Sequence, residues 1–122
     1  MKILCGIDII EVERIQETIE SLGEAFLSKV YTKNEIAYCE NKKTQKYQSY
    51  AARFAAKEAV FKALSKELNG RYEITWKNIE VLNEETGRPK INLIEVDKKI
   101  TSIDVSLSHI KETAIASVVI TL

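Results

Sequence analysis

The run RFAAKEAVFKAL, residues 53 to 64, sets Arg53, Lys57, Glu58 and Lys62 in an otherwise apolar stretch of helical character. On a wheel of about 100° per residue, Arg53 and Lys57 fall on one margin and Glu58 and Lys62 on the other. Phe54, Phe61, Leu64 and Leu68 form a face of large side chains, and Ala52, Ala55, Ala56, Ala59 and Ala63 form the opposite one. A helix apolar on both sides is normally buried, and a charge near a core is costly unless something pairs with it. Glu58 and Lys62 have the i,i+4 spacing of a helix pair, worth about 0.3–0.5 kcal/mol when exposed. One carboxylate does not neutralise Arg53, Lys57 and Lys62 together, so the helix is locally cationic in a chain of zero formal net charge. A polyanionic ligand would relieve that excess.

Asp8 is the second residue whose placement asks for a reason. It stands in GIDII, inside the strand-like run KILCGIDII. Strand alternation puts it on the face of Leu4, Gly6 and Ile10, and Gly6 leaves room for another group to come close. A strand-end or capping role is the ordinary explanation for one such aspartate. Two carboxylates near a cationic helix point instead to a hard cation, because magnesium typically takes one or two protein carboxylates with waters and substrate phosphates. Spacing alone does not bring Asp8 to Glu58.

The elements that must position these groups are read from periodicity. KILCGIDII is predicted as a strand buried on both faces, with Cys5 a small core residue. Val12, Ile15, Ile19, Leu22 and Phe26 recur at helical spacing and predict one amphipathic helix, with Glu13, Arg14, Glu17 and Glu20 toward water. TKNE at 32 to 35 predicts a capping box from Thr32 to Glu35, opening a short helix with Ile36 and Tyr38. After the polar break ENKKTQK, the longest helix is expected from about Tyr47 to Leu68, stopped by Asn69-Gly70. ITWKNIEVLN and KINLIEV read as strands joined through Gly87 and Pro89, and SIDVSLS and TAIASVVITL as a second pair around HIKE. One strand, several helices and then a run of strands predict an α+β fold, an antiparallel sheet packed with a long buried helix and shorter helices.

At 122 residues the chain is read as a single domain. Lys plus Arg and Asp plus Glu both number 18, a balance that argues against bulk binding of nucleic acid. Cys5 and Cys39 are too few for a disulfide framework and fit no metal-ligand spacing. The absence of a signal-peptide pattern or long apolar span predicts a soluble cytoplasmic protein with no membrane partner.

GIDIIEVERI (6 to 15), RFAAKEAVFKAL (53 to 64), GRP (87 to 89) and SLSH (106 to 109) resemble, in order, the motifs of the holo-acyl-carrier-protein synthases. These are the short bacterial type of 4′-phosphopantetheinyl transferase. AFLSKVYTKNEIAYC resembles the family's stretch between the first two motifs, so the resemblance spans nearly the whole chain. It implies a 4′-phosphopantetheinyl transferase-like fold over residues 1–122. The implied reaction moves the phosphopantetheine arm of coenzyme A to a serine of apo acyl carrier protein, releasing adenosine 3′,5′-bisphosphate, in fatty acid biosynthesis.

The resemblance also assigns residues. Asp8 and Glu58 would hold Mg²⁺ against the coenzyme A pyrophosphate, and Lys62 would contact the pyrophosphate and stabilise the leaving bisphosphate. Arg53 would lie near a coenzyme A phosphate, His109 near the nucleotide phosphate end, and Gly87, Arg88 and Pro89 beside the adenine and ribose. The base that takes the serine proton stays open among Glu58, Asp8 and a metal-bound water. Arg14 and Ile15 match the family's docking helix for the carrier, although Glu13, Glu17, Glu20 and Glu24 make this one acidic. The resemblance implies a homotrimer with sites between protomers, with which the alanine face and the apolar C-terminal strands are compatible. On this reading all four charges of the long helix serve a pyrophosphate, its metal and its phosphate neighbours. Two other readings use parts of the same set. A non-catalytic coenzyme A-binding module needs Arg53 and His109 but not Asp8 with Glu58, and a metal-dependent pyrophosphate hydrolase needs the metal site but no carrier.

Overall fold

The structure, a computed structural model, describes residues 1–68, 74–96 and 99–122. Strand β1 (Ile3–Glu11) leads into helices α1 (Val12–Leu22), α2 (Glu24–Val30) and α3 (Lys33–Glu40). A short 3-10 turn at Lys43–Gln45 precedes α4 (Lys46–Ala63), and another at Trp76–Asn78 precedes the hairpin of β2 (Ile79–Asn83) and β3 (Pro89–Leu93). Strands β4 (Ser102–His109) and β5 (Thr113–Thr121) complete the order. One antiparallel sheet runs β1-β5-β4 and the other is the β2-β3 hairpin. The fold is α+β, as expected.

Helix α4 packs on the inner face of the three-stranded sheet because its alanines let backbones meet. Ala55, Ala56 and Ala59 are buried with Val105, Ala116, Val118 and Ile120. Gly6 marks the closest approach, since a Cβ there would run into the Ala59 carbonyl oxygen and crowd the Ala63 amide. The alanine face is therefore taken by the chain's own sheet and is not open to a neighbouring protomer. A second cluster, which includes Val12, Ile15, Ile19, Val30, Tyr31, Cys39 and Tyr50, joins α1 to α3 with the first half of α4.

Several expectations are corrected. Strand β1 is an edge strand: Leu4, Gly6, Asp8 and Ile10 face inward, while Ile3, Cys5, Ile7 and Ile9 are exposed on the other face. The helix predicted through Phe26 breaks at Gly23, whose φ of 56 turns the chain, so Leu22 is exposed and Phe26 belongs to α2. The second predicted strand, ITWKNIEVLN, begins instead with the 3-10 turn at Trp76–Asn78, where the Thr75 amide and hydroxyl both donate to Asn78 Oδ1. The capping box forms as read, with Glu35 N donating to Thr32 Oγ1 and Thr32 N to Glu35 Oε1. Helix α4 stops at Ala63, where the Leu64 amide donates to Val60 O; the predicted stop at Asn69-Gly70 lies outside the described residues. Among the described residues no helix is long and apolar enough to cross a membrane.

Candidate active site

Where β1 crosses α4, Asp8 comes within reach of the helix. Lys62 Nζ donates to Asp8 Oδ1 at 2.9 Å and to the Ile7 carbonyl at 3.0 Å. The Lys62 side chain is 58% exposed and that of Asp8 only 16%, so the ammonium reaches solvent from a largely covered carboxylate. Lys62 thus reaches across to the strand, and the helix pair with Glu58 read from spacing is not the ion pair that forms. Asp8, Glu58, Lys62, Arg14, Phe54 and Thr113 all line one cleft of about 550 Å³.

Glu58 is half-buried beside Asp8. Burial raises its pKa above the ordinary glutamate value, and the Asp8 charge raises it further, while Lys62 and the Trp76 indole act in the opposite sense. The indole nitrogen is buried and has no hydrogen-bond partner among the described residues. This donor set fits a hard cation: Asp8 and Glu58 face one cleft, with Glu11 at its lining, and Glu58 is held above its usual pKa by burial and then by the Asp8 charge. Among the described residues no group of three or more His, Cys, Asp or Glu gathers into a closed cage of ligands. Magnesium, which completes its shell with water and phosphate oxygens, matches such a half-site.

A second cleft of about 280 Å³ is lined by other residues, among them Arg53, Gly87, Pro89 and His109. Arg53 is 3% exposed yet has no carboxylate partner among the described residues. Its Nη1 donates to Ser49 Oγ at 3.2 Å, its Nη2 to Asn83 Oδ1 at 2.5 Å, and its guanidinium stacks 4.1 Å over the Tyr38 ring. Arg53 Nε has no hydrogen-bond partner among the described residues. Asn83 in turn donates to the Gly87 carbonyl at 3.0 Å, which ties the arginine to the β2–β3 loop, where Gly87 turns at φ 91. A buried guanidinium held only by neutral groups keeps its charge for an anion. Arg88 departs from its expected place, since it pairs with Asp104 at 2.9 Å and does not line this cleft.

The remaining expected residues divide. Arg14 is exposed at the first cleft. Ile15 is 3% exposed in the core, so it seats α1 and presents no docking contact to a carrier. Lys57 enters neither cleft, which corrects the expectation that all four helix charges serve a ligand. Its ammonium donates to Glu35 Oε1 at 2.8 Å, Trp76 O at 2.9 Å and Ile79 O at 2.5 Å, and both charged side chains are fully buried. Burial pulls the Lys57 pKa down, and the Glu35 carboxylate pushes back. The sequence reading did not single out Tyr38, Lys42, Ser49 and Asn83 of the second cleft, or Trp76 beside the first. Only Asn83, four residues before Gly87 in NEETG, carried a local hint.

The comparisons follow this geometry. The chain is 46% identical over 128 residues to the holo-[acyl-carrier-protein] synthase of Ruminiclostridium cellulolyticum, covering 100% of this chain and 94% of that protein. It superposes on the crystal structure of the Helicobacter pylori holo-[acyl-carrier-protein] synthase in complex with coenzyme A with a TM-score of 0.82 at 31% identity, covering 97% of this chain and 100% of that one. The Bacillus anthracis holo-(acyl-carrier-protein) synthase, in complex with CoA (3′,5′-ADP), gives a TM-score of 0.80 at 33% identity over 96% of this chain and 94% of that one. Residues 4–122, which carry both clefts, match a single family model, and the chain belongs to the 4′-phosphopantetheinyl transferase superfamily.

Proposed function

We propose that this protein transfers the 4′-phosphopantetheine group of coenzyme A to a serine of an apo acyl carrier protein, as a holo-acyl-carrier-protein synthase. The observation that carries the reading is the meeting of Asp8 from β1 with Glu58 and Lys62 from α4 in one open cleft. The serine oxygen forms a bond to the phosphorus that bears the pantetheine. The pyrophosphate P–O bond breaks, and adenosine 3′,5′-bisphosphate leaves with the electron pair. Asp8 and Glu58 would hold Mg²⁺, which when bound supplies neutralisation of the pyrophosphate charge and orients it.

The chain's own groups do the rest. Lys62 has an exposed ammonium on a short tether to Asp8, well placed to turn toward a pyrophosphate and stabilise the leaving group. The serine proton would pass to Glu58, to Asp8 or to a water held by the metal, the acceptors this cleft offers. Arg53 and His109 at the second cleft would hold a nucleotide phosphate, and Gly87 with Pro89 would wall the adenine and ribose. The two clefts share no lining residue, and β1 exposes Ile3, Ile7 and Ile9 on its outer face beside Val119 of β5. Both features support a homotrimer in which neighbouring protomers join the half-sites, residues 1–122 acting as one domain. The Arg14 face of α1 would meet the carrier. A cytoplasmic role in fatty acid biosynthesis follows from this reaction.

The test is the intact mass of an apo acyl carrier protein incubated with this protein, coenzyme A and Mg²⁺, beside a chelator control. A gain of one phosphopantetheine group that the chelator abolishes is the expected result. Cleavage of coenzyme A without carrier would replace the proposal with a hydrolase. Binding of intact coenzyme A without any transfer would replace it with a binding module.

A further inference from the structure

We propose that Lys57 is a positioning residue for Glu58 that acts through Trp76, its ammonium clamping the 3-10 turn at Trp76–Asn78 so that the indole is held against the Glu58 side of α4. The inference deepens the transferase reading and rests on it. Its basis is the set of acceptors Lys57 uses. Two of the three are main-chain carbonyls, of Trp76 and Ile79, at the two ends of that turn. The third, Glu35, is itself fixed by the Thr32 amide at 2.8 Å and the Val81 amide at 2.8 Å. All three ammonium protons are thereby used, and Glu35 anchors the lysine to α3 and β2 at once.

What the clamp holds is a ring that backs the wall of the candidate active site, to which Phe54 belongs. Phe54 and Phe61 flank Glu58 on α4 and both pack on the Trp76 ring, Phe54 stacked at 6.4 Å and Phe61 edge-on at 6.1 Å. Lys29 of α2 lies over the same ring at 5.8 Å. Phe54, Glu58 and Phe61 stand at i, i+4 and i+7 on one face of α4, so the ring that packs on both phenylalanines covers the face that carries Glu58, and its buried N–H has no partner among the described residues. A buried donor without a partner is uncommon and needs an explanation. Here the indole covers the helix face of a carboxylate that must keep one orientation while phosphate and serine approach. Neighbouring residues in sequence thus have linked duties: Glu58 faces the cleft, and Lys57 reaches through the core to hold the ring that limits where Glu58 can turn.

The test separates positioning from simple stability. Lys57→Met should lower kcat by about tenfold or more while the KM for coenzyme A changes less than twofold, and the emission of Trp76, the single tryptophan, should move to the red. The double variant Lys57→Met with Glu35→Leu replaces both members of a buried ion pair with apolar groups, which is often neutral or stabilising. It should melt higher than Lys57→Met, because no unpaired charge is left in the core, but regain neither kcat nor the emission maximum. Regained kcat and emission along with stability would overturn the proposal. Trp76→Leu provides the check that does not require altering the core pair: it should reproduce the kcat loss, and wild-type kcat would overturn the proposal. If the unmodified protein transfers no phosphopantetheine, the transferase reading fails by itself. The emission maximum of the double variant still decides whether Lys57 holds the indole.

Discussion

Helix α4 presents two lysines little more than a turn apart, and the fold treats them in opposite ways. Lys57 has no exposed surface, and each of its ammonium protons has an acceptor. Lys62 is 58% exposed and shares a cleft with the carboxylates of Asp8, Glu11 and Glu58. Saturated contacts in the core fix a shape, whereas an open cation beside an excess of negative charge leaves something for a ligand to do. Residue type distinguishes nothing here; what distinguishes the two is how many partners each already has.

The sharpest way to break that contrast is at the carboxylates. Asp8→Ala or Glu58→Ala should abolish Mg²⁺-dependent transfer in a carrier-loading assay with the circular dichroism spectrum unchanged; substantial activity in either would remove the metal assignment. Next comes Lys62→Ala, expected to lower kcat/KM by about 10²–10³-fold with a stability change within about 0.5 kcal/mol by urea unfolding. Lys57→Ala should do the reverse on the stability axis, costing about 3–5 kcal/mol because Glu35 is left buried and unpaired. Equal stability losses at the two lysines would erase the distinction.

A smaller effect tests the strain between the carboxylates. Because the Glu58 pKa is raised, its contribution to stability is present below the ordinary carboxylate value and is lost as pH rises through the raised value. In metal-free buffer, Glu58→Gln should therefore melt higher than wild type at neutral pH, and the gain should vanish in acid. Smallest of all, Arg14→Glu should raise the KM for the carrier a few-fold and leave that for coenzyme A alone. Equal changes in both would take Arg14 off the docking surface.

Local signals were readable in the sequence and distant ones were not. The Thr32–Glu35 capping box needs four consecutive residues, and it forms. The same Glu35 also neutralises Lys57 from across the core, and no spacing rule joins positions 35 and 57. The alternation of β1 put Asp8 on the correct face, yet the apolar run was read as covered on both sides. Exposed Ile7 and Ile9 show that composition does not separate a covered strand from an edge strand with a bare outer face. Gly23 was visible in SLGEAF, but the helical period carried across it. The surplus of charge on α4 was legible as a surplus. Which charges were spare emerged only with the partners: Arg53 has none that is acidic among the described residues, and Lys62 shares Asp8.

The pairing of β1 has a consequence for how the protein is made. Strand β1 is laddered to β5, with Asp8 opposite Ala116, and has no other strand neighbour in its sheet. During synthesis α4 leaves the ribosome with Glu58 and Lys62 long before β5 exists. The strand that carries Asp8 must wait for its distant partner, and such non-local pairing comes late in folding. A nascent chain therefore has no completed carboxylate pair, and translation must pass β5 before this protein can begin to load carriers.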